Sequence, residues 1–401
     1  MSLLFKNAVV IDGIALEPRE HTGVLIEGGR IRALGANLKP ERDTSVVDCA
    51  GRSLLPGLID CHTHLCFDAS AKPVDHLIAE SDATALLKMV HHARQTLQRG
   101  VTTVRDMGAP HLLDVALRSA INAGWVPGPR LFVSGPVITI TGGHCHFMGH
   151  AADSIDQICR AVRQNIKAGV DVIKVIATGG RLTPGSSLNT TQYSIEELSA
   201  LVAEATAAGR PVAAHTGGLE GIRRAVDAGV TSIEHGSYVD EPTMLAMKDK
   251  GIVWVPTNAP AVRILQNPPS IDFPQAYLDA VRETWHARRA AVKRGIELGM
   301  RFAAGTDAGV PSTPHGGIAR EVKVFHELGM PAMQALWTAT RWAAELLGKS
   351  DEIGSLKVGK LADMILVSGN PLDDLDRLSD PEIVIKDGVI VQSKIERGVA
   401  V

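Results

Sequence analysis

The sequence predicts an α/β protein in which a (β/α)8 barrel carries a small β-sandwich domain built from both ends of the chain. Two observations lead to this fold class. Through the middle of the chain, short apolar runs alternate with longer segments of helical period, as repeated β–α units require. At both ends, short strand-like runs broken by glycines replace this alternation, for example at residues 3–12 and 23–34.

Eight candidate strands lie along the middle of the chain, and most are followed by a stretch rich in Ala, Leu, Glu and Arg. Several of these stretches end in a glycine directly before the next strand, as helices commonly do. Eight strands alternating with helices over roughly 300 residues is the pattern of a TIM barrel, although a doubly wound open sheet also fits the alternation. The candidate strands are residues 58–62, 101–105, 130–134, 172–176, 211–215, 231–235, 252–256 and 302–307.

The tail of the chain repeats the pattern of the N-terminal region. Residues 363–367 and 383–391 are short β-type runs that resemble those before the barrel. Because the two ends share this pattern, we expect residues 1–55 and 355–401 to join in one β-sandwich domain. Residues 56–354 then form the barrel.

The composition is that of an ordinary globular protein, with 45% hydrophobic and 21% charged residues in a chain of 401. The net charge of −3 offers no basic excess to neutralise phosphates, so we expect no nucleic-acid partner. The five cysteines form no CxxC pair, and the N-terminal apolar run is too short for a signal sequence or membrane span. We therefore expect a cytoplasmic protein with a small-molecule substrate and no membrane partner, and a homo-oligomer is compatible with these features.

Histidines and single charged residues occur where the predicted strands end. His62 and His64 close the first strand, and the two-residue period of a strand places both imidazoles on one face. Lys174 lies among apolar β-branched residues of the fourth strand, where an ammonium group is costly unless neutralised or paired. Burial lowers the pKa of a lysine, and the neutral amine can react with carbon dioxide to give a carbamate, an anion able to bridge two cations. Three further strands end in His215, His235 and Asp307.

Each of these residues has an ordinary explanation when it is considered alone, as a core histidine, a helix N-cap or a snorkelling lysine. Five strand ends that present such side chains at one face of a barrel are hard to attribute to chance. That face is where barrel enzymes catalyse their reactions. Imidazole-rich ligation favours zinc, although manganese or cobalt would also fit. The sequence thus predicts a metal site at the C-terminal mouth of the barrel.

In order and spacing, these residues resemble the motifs of the amidohydrolase superfamily over essentially the whole chain. The matching features are residues 56–64, Lys174, His215, residues 234–236, residues 305–307 and residues 353–363. Within the superfamily the chain is similar to the imidazolonepropionase-related group, which includes metal-dependent prolidases and other dipeptidases. Residues 102–108 and 141–144 carry that second resemblance.

The resemblance implies the binuclear-metal subtype, with two divalent ions, zinc being the favoured metal. One ion would be held by His62, His64 and Asp307. The other would be held by His215 and His235. A carboxylated Lys174 would lie between the two ions as a bridge.

The resemblance also implies a hydrolase that cleaves the C–N bond of a small amide or peptide, such as an Xaa-Pro dipeptide or an N-acyl amino acid. A hydroxide shared by two cations is a nucleophile at neutral pH. Asp307 would take the proton of that hydroxide and deliver it to the leaving nitrogen, and so serve as base and then acid. No serine or cysteine nucleophile is required.

Four residues on predicted loops are candidates for contact with the substrate. We expect His144, as a catalytic residue, and His146 to donate hydrogen bonds to the substrate carbonyl or carboxylate. Arg181 is suited to meet a carboxylate, and Tyr193 to line the pocket. The prolidase-like members place Ala-Tyr after the fifth-strand histidine, whereas this chain has Thr216-Gly217 there. A phenol that would bind a substrate carboxylate is therefore missing.

Three other functions compete with this interpretation. A lactonase or carbamate hydrolase would use the same metal site with a different pocket. A mononuclear deaminase-like enzyme, acting on a cyclic amidine, would not need Lys174 and usually places a glutamate three residues after His215. Gly218 stands at that position, which argues against a deaminase. A non-catalytic scaffold would be expected to have lost ligands, whereas the full set is present here.

Overall fold

The computed structural model describes residues 2–266 and 273–395. It consists of two compact units. One contains Met1–Asp60, Arg94–Thr103 and Gly316–Val401, and the other contains Cys61–Ala93 and Val104–His315.

Strands from both ends of the chain form one eight-stranded sheet in the first unit. Its strands are β1 (Ser2–Val10), β2 (Arg19–Glu27), β3 (Arg30–Gly35), β4 (Thr44–Asp48), β5 (Ser53–Pro56), β15 (Met364–Val367), β16 (Ile383–Lys386) and β17 (Val389–Ser393). They follow the order β17-β16-β15-β5-β1-β2-β3, and β4 pairs with β1. The two ends of the chain meet where β15 pairs antiparallel with β5.

One apolar core supports this sheet, because alternate residues of its strands point to the same side. Phe5, Ile26, Leu54 and Ile385 all belong to the core and are essentially inaccessible to solvent. Burial of such a side chain contributes about 1.5–3 kcal/mol. Residues from both termini therefore depend on each other for stability.

The remaining strands form two sheets. These strands are β6 (Leu58–Thr63), β7 (Val101–Asp106), β8 (Arg130–Val133), β9 (Val137–Thr139), β10 (Gly149–Ala151), β11 (Ile173–Ile176), β12 (Val212–Thr216), β13 (Ser232–His235) and β14 (Val253–Val255). One sheet has the order β6-β7-β8. The other has the order β10-β9-β11-β12-β13-β14, and all of its pairings are parallel. The predicted α/β class with parallel strands is thus confirmed.

Helices separate most of these strands. They are α1 (Pro73–Ala79), α2 (Asp82–Gln98), α3 (Leu113–Asn122), α4 (Ile155–Ala168), α5 (Ile195–Ala207), α6 (Leu219–Ala228), α7 (Glu241–Asp249), α8 (Ala259–Gln266), α9 (Gln275–Glu297), α10 (Ile318–Glu327), α11 (Ala332–Thr338) and α12 (Arg341–Leu346). Gly169 directly follows α4 and Gly229 directly follows α6, and both glycines adopt the left-handed conformation that terminates a helix. Within the described residues, no helix combines the length and the apolar character needed to cross a membrane.

The segment after α9 differs from the strand expected at residues 302–307. Its backbone makes isolated parallel bridges to described residues, from Phe302 to Trp254 in β14 and from Ala308 to Thr63 in β6. The amide of Asp307 nevertheless donates to the carbonyl of His62 at 2.7 Å. A side chain on Gly305 would lie 2.7 Å from the Cβ of His62, so a glycine is needed for this close approach.

Candidate metal centre

The ends of four strands bring the predicted metal ligands together. His62 lies in β6, Lys174 in β11 and His215 in β12, while His235 is the last residue of β13. The ring centroids of His62 and His235 are 4.9 Å apart, and those of His215 and His235 are 4.7 Å apart. Residues more than 170 positions apart in the chain thus meet around one centre.

Asp307 lies beside the histidine pair at the end of β6. Its Oδ1 atom is 3.6 Å from Nε2 of His62 and 3.5 Å from Nε2 of His64. Among the residues that the structure describes, the ligand atoms of His62, His235 and Asp307 lie within 4.8 Å of one another, which is close enough for one ion. The structure therefore places all three around a common point.

His235, at the end of β13, and Asp307 both have a strained backbone conformation. Their φ angles are 63° and 56°, in the left-handed region that side chains other than glycine seldom adopt. Such a residue costs about 1–3 kcal/mol, and the surrounding structure must impose it. At both positions this strained conformation occurs where the polar side chain joins the cluster, as is common at functional sites.

Hydrogen bonds from outside the cluster fix the orientation of the imidazoles. Nδ1 of His62 donates to the Glu234 carboxylate at 2.6 Å. Nδ1 of His235 is 2.7 Å from the hydroxyl of Thr257. Partners of this kind select the tautomer and hold the ring in histidines that bind metals.

A buried ion pair supports the first of these bonds. The guanidinium of Arg105 in β7 lies 2.8 Å from Oε1 of Glu234 and also donates to the carbonyl of Cys61 at 2.6 Å. Ser232 donates to the same carboxylate. The sequence interpretation gave Arg105 and Glu234 no role, although each is a charged residue within a predicted strand. That anomaly is the signal by which they could have been found.

Burial keeps the imidazoles neutral. Burial and, to a smaller extent, the nearby Lys174 ammonium lower the pKa of His64 and of His144 to about 3. The pKa values of His215 and His235 are also well below the ordinary value because of burial. Neutral imidazole is the form that binds a metal ion, so these rings are ready for coordination at pH 7.

Burial also favours the neutral form of the Lys174 amine. Its side chain is 1% exposed, and its Nζ has no hydrogen-bond partner among the described residues. Burial lowers its pKa to about 8, although Glu234 and Asp307 oppose that shift. A buried amine without a partner, next to neutral imidazoles and a carboxylate, fits a site built for divalent cations.

A cavity of about 980 Å³, its open mouth included, extends from this cluster. His144 lies on its wall, with its ring centroid 4.6 Å from that of His215. Nδ1 of His144 is 3.0 Å from the hydroxyl of Thr183, and its amide donates to Gln192 at 2.7 Å. His144 is therefore held beside the cluster, where the sequence interpretation expected it.

The other three predicted substrate contacts occupy different positions. Arg181 lines the cavity. Tyr193 and His146 are not among the described residues that line it. The hydroxyl of the buried Tyr193 donates to the carbonyl of Ala152 at 3.0 Å, and Nδ1 of His146 to that of Gly143. Both side chains thus make local backbone contacts, and their contact with a substrate stays a prediction.

Helices α8 and α9 supply a wall that the sequence interpretation did not assign. Ile264 of α8 and Val281 of α9 belong to one small apolar cluster and also line the cavity. Thr284 and Arg288 line it as well. The spacing of the buried residues of α9 is helical, so its inward face was visible in the sequence once the helix was recognised.

Comparisons with known proteins identify the family of this chain. The sequence pattern of the amidohydrolase family matches residues 53–392. The ochratoxinase of Aspergillus niger is 31% identical over 367 residues, which cover 82% of this chain and 73% of that protein. The imidazolonepropionase of Symbiobacterium thermophilum is 25% identical over 395 residues, which cover 90% of this chain and 85% of that protein.

A solved crystal structure is also similar to this chain. The crystal structure of a Xaa-Pro dipeptidase with methionine bound in its active site is 33% identical and has a TM-score of 0.90, with 98% of this chain and 100% of that chain covered. The predicted relation to imidazolonepropionases and prolidase-like proteins is confirmed by these matches. Because the family pattern spans most of the sequence and its relatives share the fold, this chain belongs to the amidohydrolase family of hydrolases.

Proposed function

We propose that this protein is a metal-dependent hydrolase that cleaves the C–N bond of a small amide or dipeptide with a free carboxylate. The observation that carries this proposal is the cluster of neutral imidazoles, one carboxylate and one buried amine at the base of an apolar cavity. Met107, Val137 and Leu188 are among the apolar residues of its wall. Such a wall favours a substrate with an apolar side chain or acyl group.

Two divalent ions, with zinc as the favoured metal, belong in this cluster. His62, His64 and Asp307 would hold the first, and the short distances from Asp307 to both imidazoles support that set. His215 and His235 would hold the second. The ions would supply Lewis acidity and lower the pKa of a water molecule between them.

Lys174 would serve as a carboxylated bridge. At a pKa of about 8 its amine is partly neutral at pH 7. The neutral nitrogen forms a bond to carbon dioxide and releases one proton, which leaves a carbamate with a single negative charge. This anion removes the cost of an ammonium group in an apolar strand and supplies oxygen ligands to cations.

Asp307 and His144 would carry out the proton transfer and the stabilisation of charge. Burial raises the pKa of Asp307 to about 6, so its carboxylate can accept a proton from the attacking water and give it to the leaving nitrogen near neutral pH. His144, on the cavity wall, would donate a hydrogen bond to the carbonyl oxygen of the substrate.

We also propose that the two sheets of the catalytic part form one closed (β/α)8 barrel over residues 56–354. The parallel bridges of Phe302 and Ala308 to neighbouring strands support closure. Residues 1–55 and 355–401 would form a β-sandwich domain, which the shared eight-stranded sheet supports.

A screen of dipeptides and N-acyl amino acids with zinc-loaded protein tests the function, with release of amine as the readout. Asp307→Asn is expected to lose at least about 100-fold in kcat, as loss of a general acid–base does. Asp12→Asn is the matched control, because Asp12 is a buried carboxylate in the other compact unit. Turnover of lactones or carbamates without any release of amine from amides would replace this proposal with the lactonase or carbamate hydrolase alternative.

A further inference from the structure

We propose that Thr183 is the positioning residue of His144: its hydroxyl donates to Nδ1 of the imidazole and so keeps the ring hydrogen on Nε2, the nitrogen that is left for the substrate. A neutral imidazole carries one hydrogen, on either nitrogen, and only the nitrogen that carries it can donate. This inference rests on the proposed function only for the role of His144 as a donor to the substrate carbonyl. It gives the loop after β11 control over which nitrogen can act.

The local sequence holds Thr183 in a tight turn. Residues 183–186 read Thr-Pro-Gly-Ser, and the amide of Ser186 donates to the carbonyl of Thr183 at 3.1 Å. Gly185 has a φ of 76°, so proline and glycine occupy the two central positions as in a type II turn. The hydroxyl of Ser186 accepts from the amide of Gly180 at 3.1 Å, which ties the turn to the start of the loop. The Thr183 side chain is buried, at 5% exposure, and so lies on the inner side of this loop.

The contacts of the Thr183 hydroxyl determine where its hydrogen points. Its oxygen accepts from the amide of Cys145 at 3.0 Å and lies 3.0 Å from Nδ1 of His144. Among the described residues, that Nδ1 atom is the one acceptor within reach of the hydroxyl hydrogen. If Nδ1 carried the ring hydrogen instead, two N–H groups would point at the buried hydroxyl, and its own hydrogen would lack an acceptor. The hydroxyl therefore donates to Nδ1, and the ring hydrogen lies on Nε2.

Hydrogen bonds to the backbone of His144 hold the residue in place for this contact. Its amide donates to Oε1 of Gln192 at 2.7 Å, and its carbonyl accepts from the hydroxyl of Thr139 at 2.9 Å. Nε2 of Gln192 donates to the same hydroxyl at 2.8 Å and to the carbonyl of Ile176 at 3.0 Å. A side chain on Gly143 would lie 2.6 Å from the Thr139 hydroxyl, so this close approach requires a glycine. The backbone of His144 is thus fixed independently of Thr183, which acts on the ring.

Nε2 of His144 is the nitrogen that remains for a substrate. It makes no hydrogen bond to a described residue, and the ring lies on the cavity wall beside His215. The backbone of Gly180 packs against this edge of the ring so closely that a Cβ there would overlap Nε2. An N–H at this place can donate to a carbonyl oxygen that gains negative charge when water attacks. In the other tautomer Nε2 would carry a lone pair, which repels such an oxygen.

The position of the ring hydrogen can be measured without turnover. Magic-angle-spinning NMR of the zinc-loaded protein, prepared with 15N-labelled histidine, distinguishes protonated from unprotonated ring nitrogens. The signals of His144 are those that disappear in His144→Gln. In the wild type we expect an unprotonated Nδ1 and a protonated Nε2. In Thr183→Val the ratio of this tautomer to the other should fall about 3- to 10-fold, as loss of one hydrogen bond predicts. Thr183→Ser should keep the wild-type signals, because the hydroxyl remains.

Kinetics of the same variants separate positioning from a merely structural role. For the best substrate of the screen, Thr183→Val should lower kcat about 10-fold while KM changes less than about threefold. This split is expected because the bond to the carbonyl oxygen strengthens in the transition state. Thr183→Ser should keep kcat within about threefold of the wild type, since a hydroxyl still donates to Nδ1. Thr190→Val is the matched control, because Thr190 lies in the same loop with an exposed side chain. It should change neither kcat nor the signals of His144.

A hydrogen on Nδ1 of His144 in the wild-type protein would overturn the inference, whether or not the variants fold. Unchanged His144 signals, or an unchanged kcat, in Thr183→Val would overturn it as well. A tautomer that depends on Thr183 in a protein that hydrolyses no amide would refute the proposed function but not the contact. Amide hydrolysis by a protein in which Nδ1 carries the hydrogen would refute the contact alone.

Discussion

Removal of the Glu234 carboxylate should destabilise the protein strongly and weaken its hold on metal. Glu234 is completely buried, and it accepts hydrogen bonds from Arg105 at 2.8 Å and from His62 at 2.6 Å. In Glu234→Ala the guanidinium of Arg105 stays buried, because it still donates to the carbonyl of Cys61, but it loses its counterion. An uncompensated buried charge is the dominant cost of such a change.

The size of the expected loss of stability follows from the burial of this ion pair. Breaking a buried pair by removing one partner costs about 3–5 kcal/mol. At about 2–4 °C per kcal/mol for a unit of this size, the melting temperature should fall by roughly 10 °C. Loss of the bond to His62 should also lower the affinity for zinc about 10- to 100-fold, because that partner orients the ring.

Thermal unfolding of the metal-free protein measures the loss of stability without a contribution from bound metal. Glu204→Ala is the matched control, because Glu204 pairs with Arg163 at 2.7 Å and 2.8 Å, with the arginine exposed to solvent. That variant should melt almost as the wild type does, since exposed pairs contribute little. The reasoning is refuted if Glu204→Ala and Glu234→Ala lower the melting temperature equally. The double variant of Arg105→Leu with Glu234→Leu should recover much of the loss, because no buried charge remains.

Three further predictions concern the site and its surroundings. Lys174→Ala should bind less zinc, as measured by elemental analysis, and should lose most activity. Added short carboxylic acids should restore part of that activity, and a fully loaded, active variant would contradict the proposed carboxylated-lysine bridge. Gly180→Ala should lower kcat by displacing His144, because the new Cβ would lie 2.2 Å from its Nε2, whereas Gly35→Ala, which meets no atom within 4 Å, should leave kcat unchanged. Burial raises the pKa of Asp114 to about 6, above its unfolded value, so its contribution opposes folding increasingly as the pH rises from about 4 to 6. Asp114→Asn should therefore lose less stability than the wild type between pH 4 and 7 in urea titrations, and an identical pH dependence would count against this account.

The local sequence alone was sufficient to predict most elements of the fold and the polar side chains that meet at the candidate metal centre. Apolar periodicity of two and of 3.6 residues distinguishes strands from helices without knowledge of distant contacts. It also predicts which face a residue occupies, and for this reason His62 and His64 could be assigned to one side of the first predicted strand. Because parallel strands present the same ends at one edge, polar residues at several strand ends were expected to meet, and the structure brings them together.

Only the tertiary structure decided the partners of these residues. Arg105 and Glu234 are 129 positions apart and pair because β7 and β13 carry them into the same buried space. Arg181 contacts α9, and the hydroxyl of Tyr193 donates to the backbone of Ala152. Both residues lie in loops, and a loop sequence has no periodicity from which such contacts could be predicted. Arg288 enters the cavity because packing sets the rotation of α9 about its own axis. Contacts of this kind depend on how whole elements pack, and local periodicity carries no information about that packing.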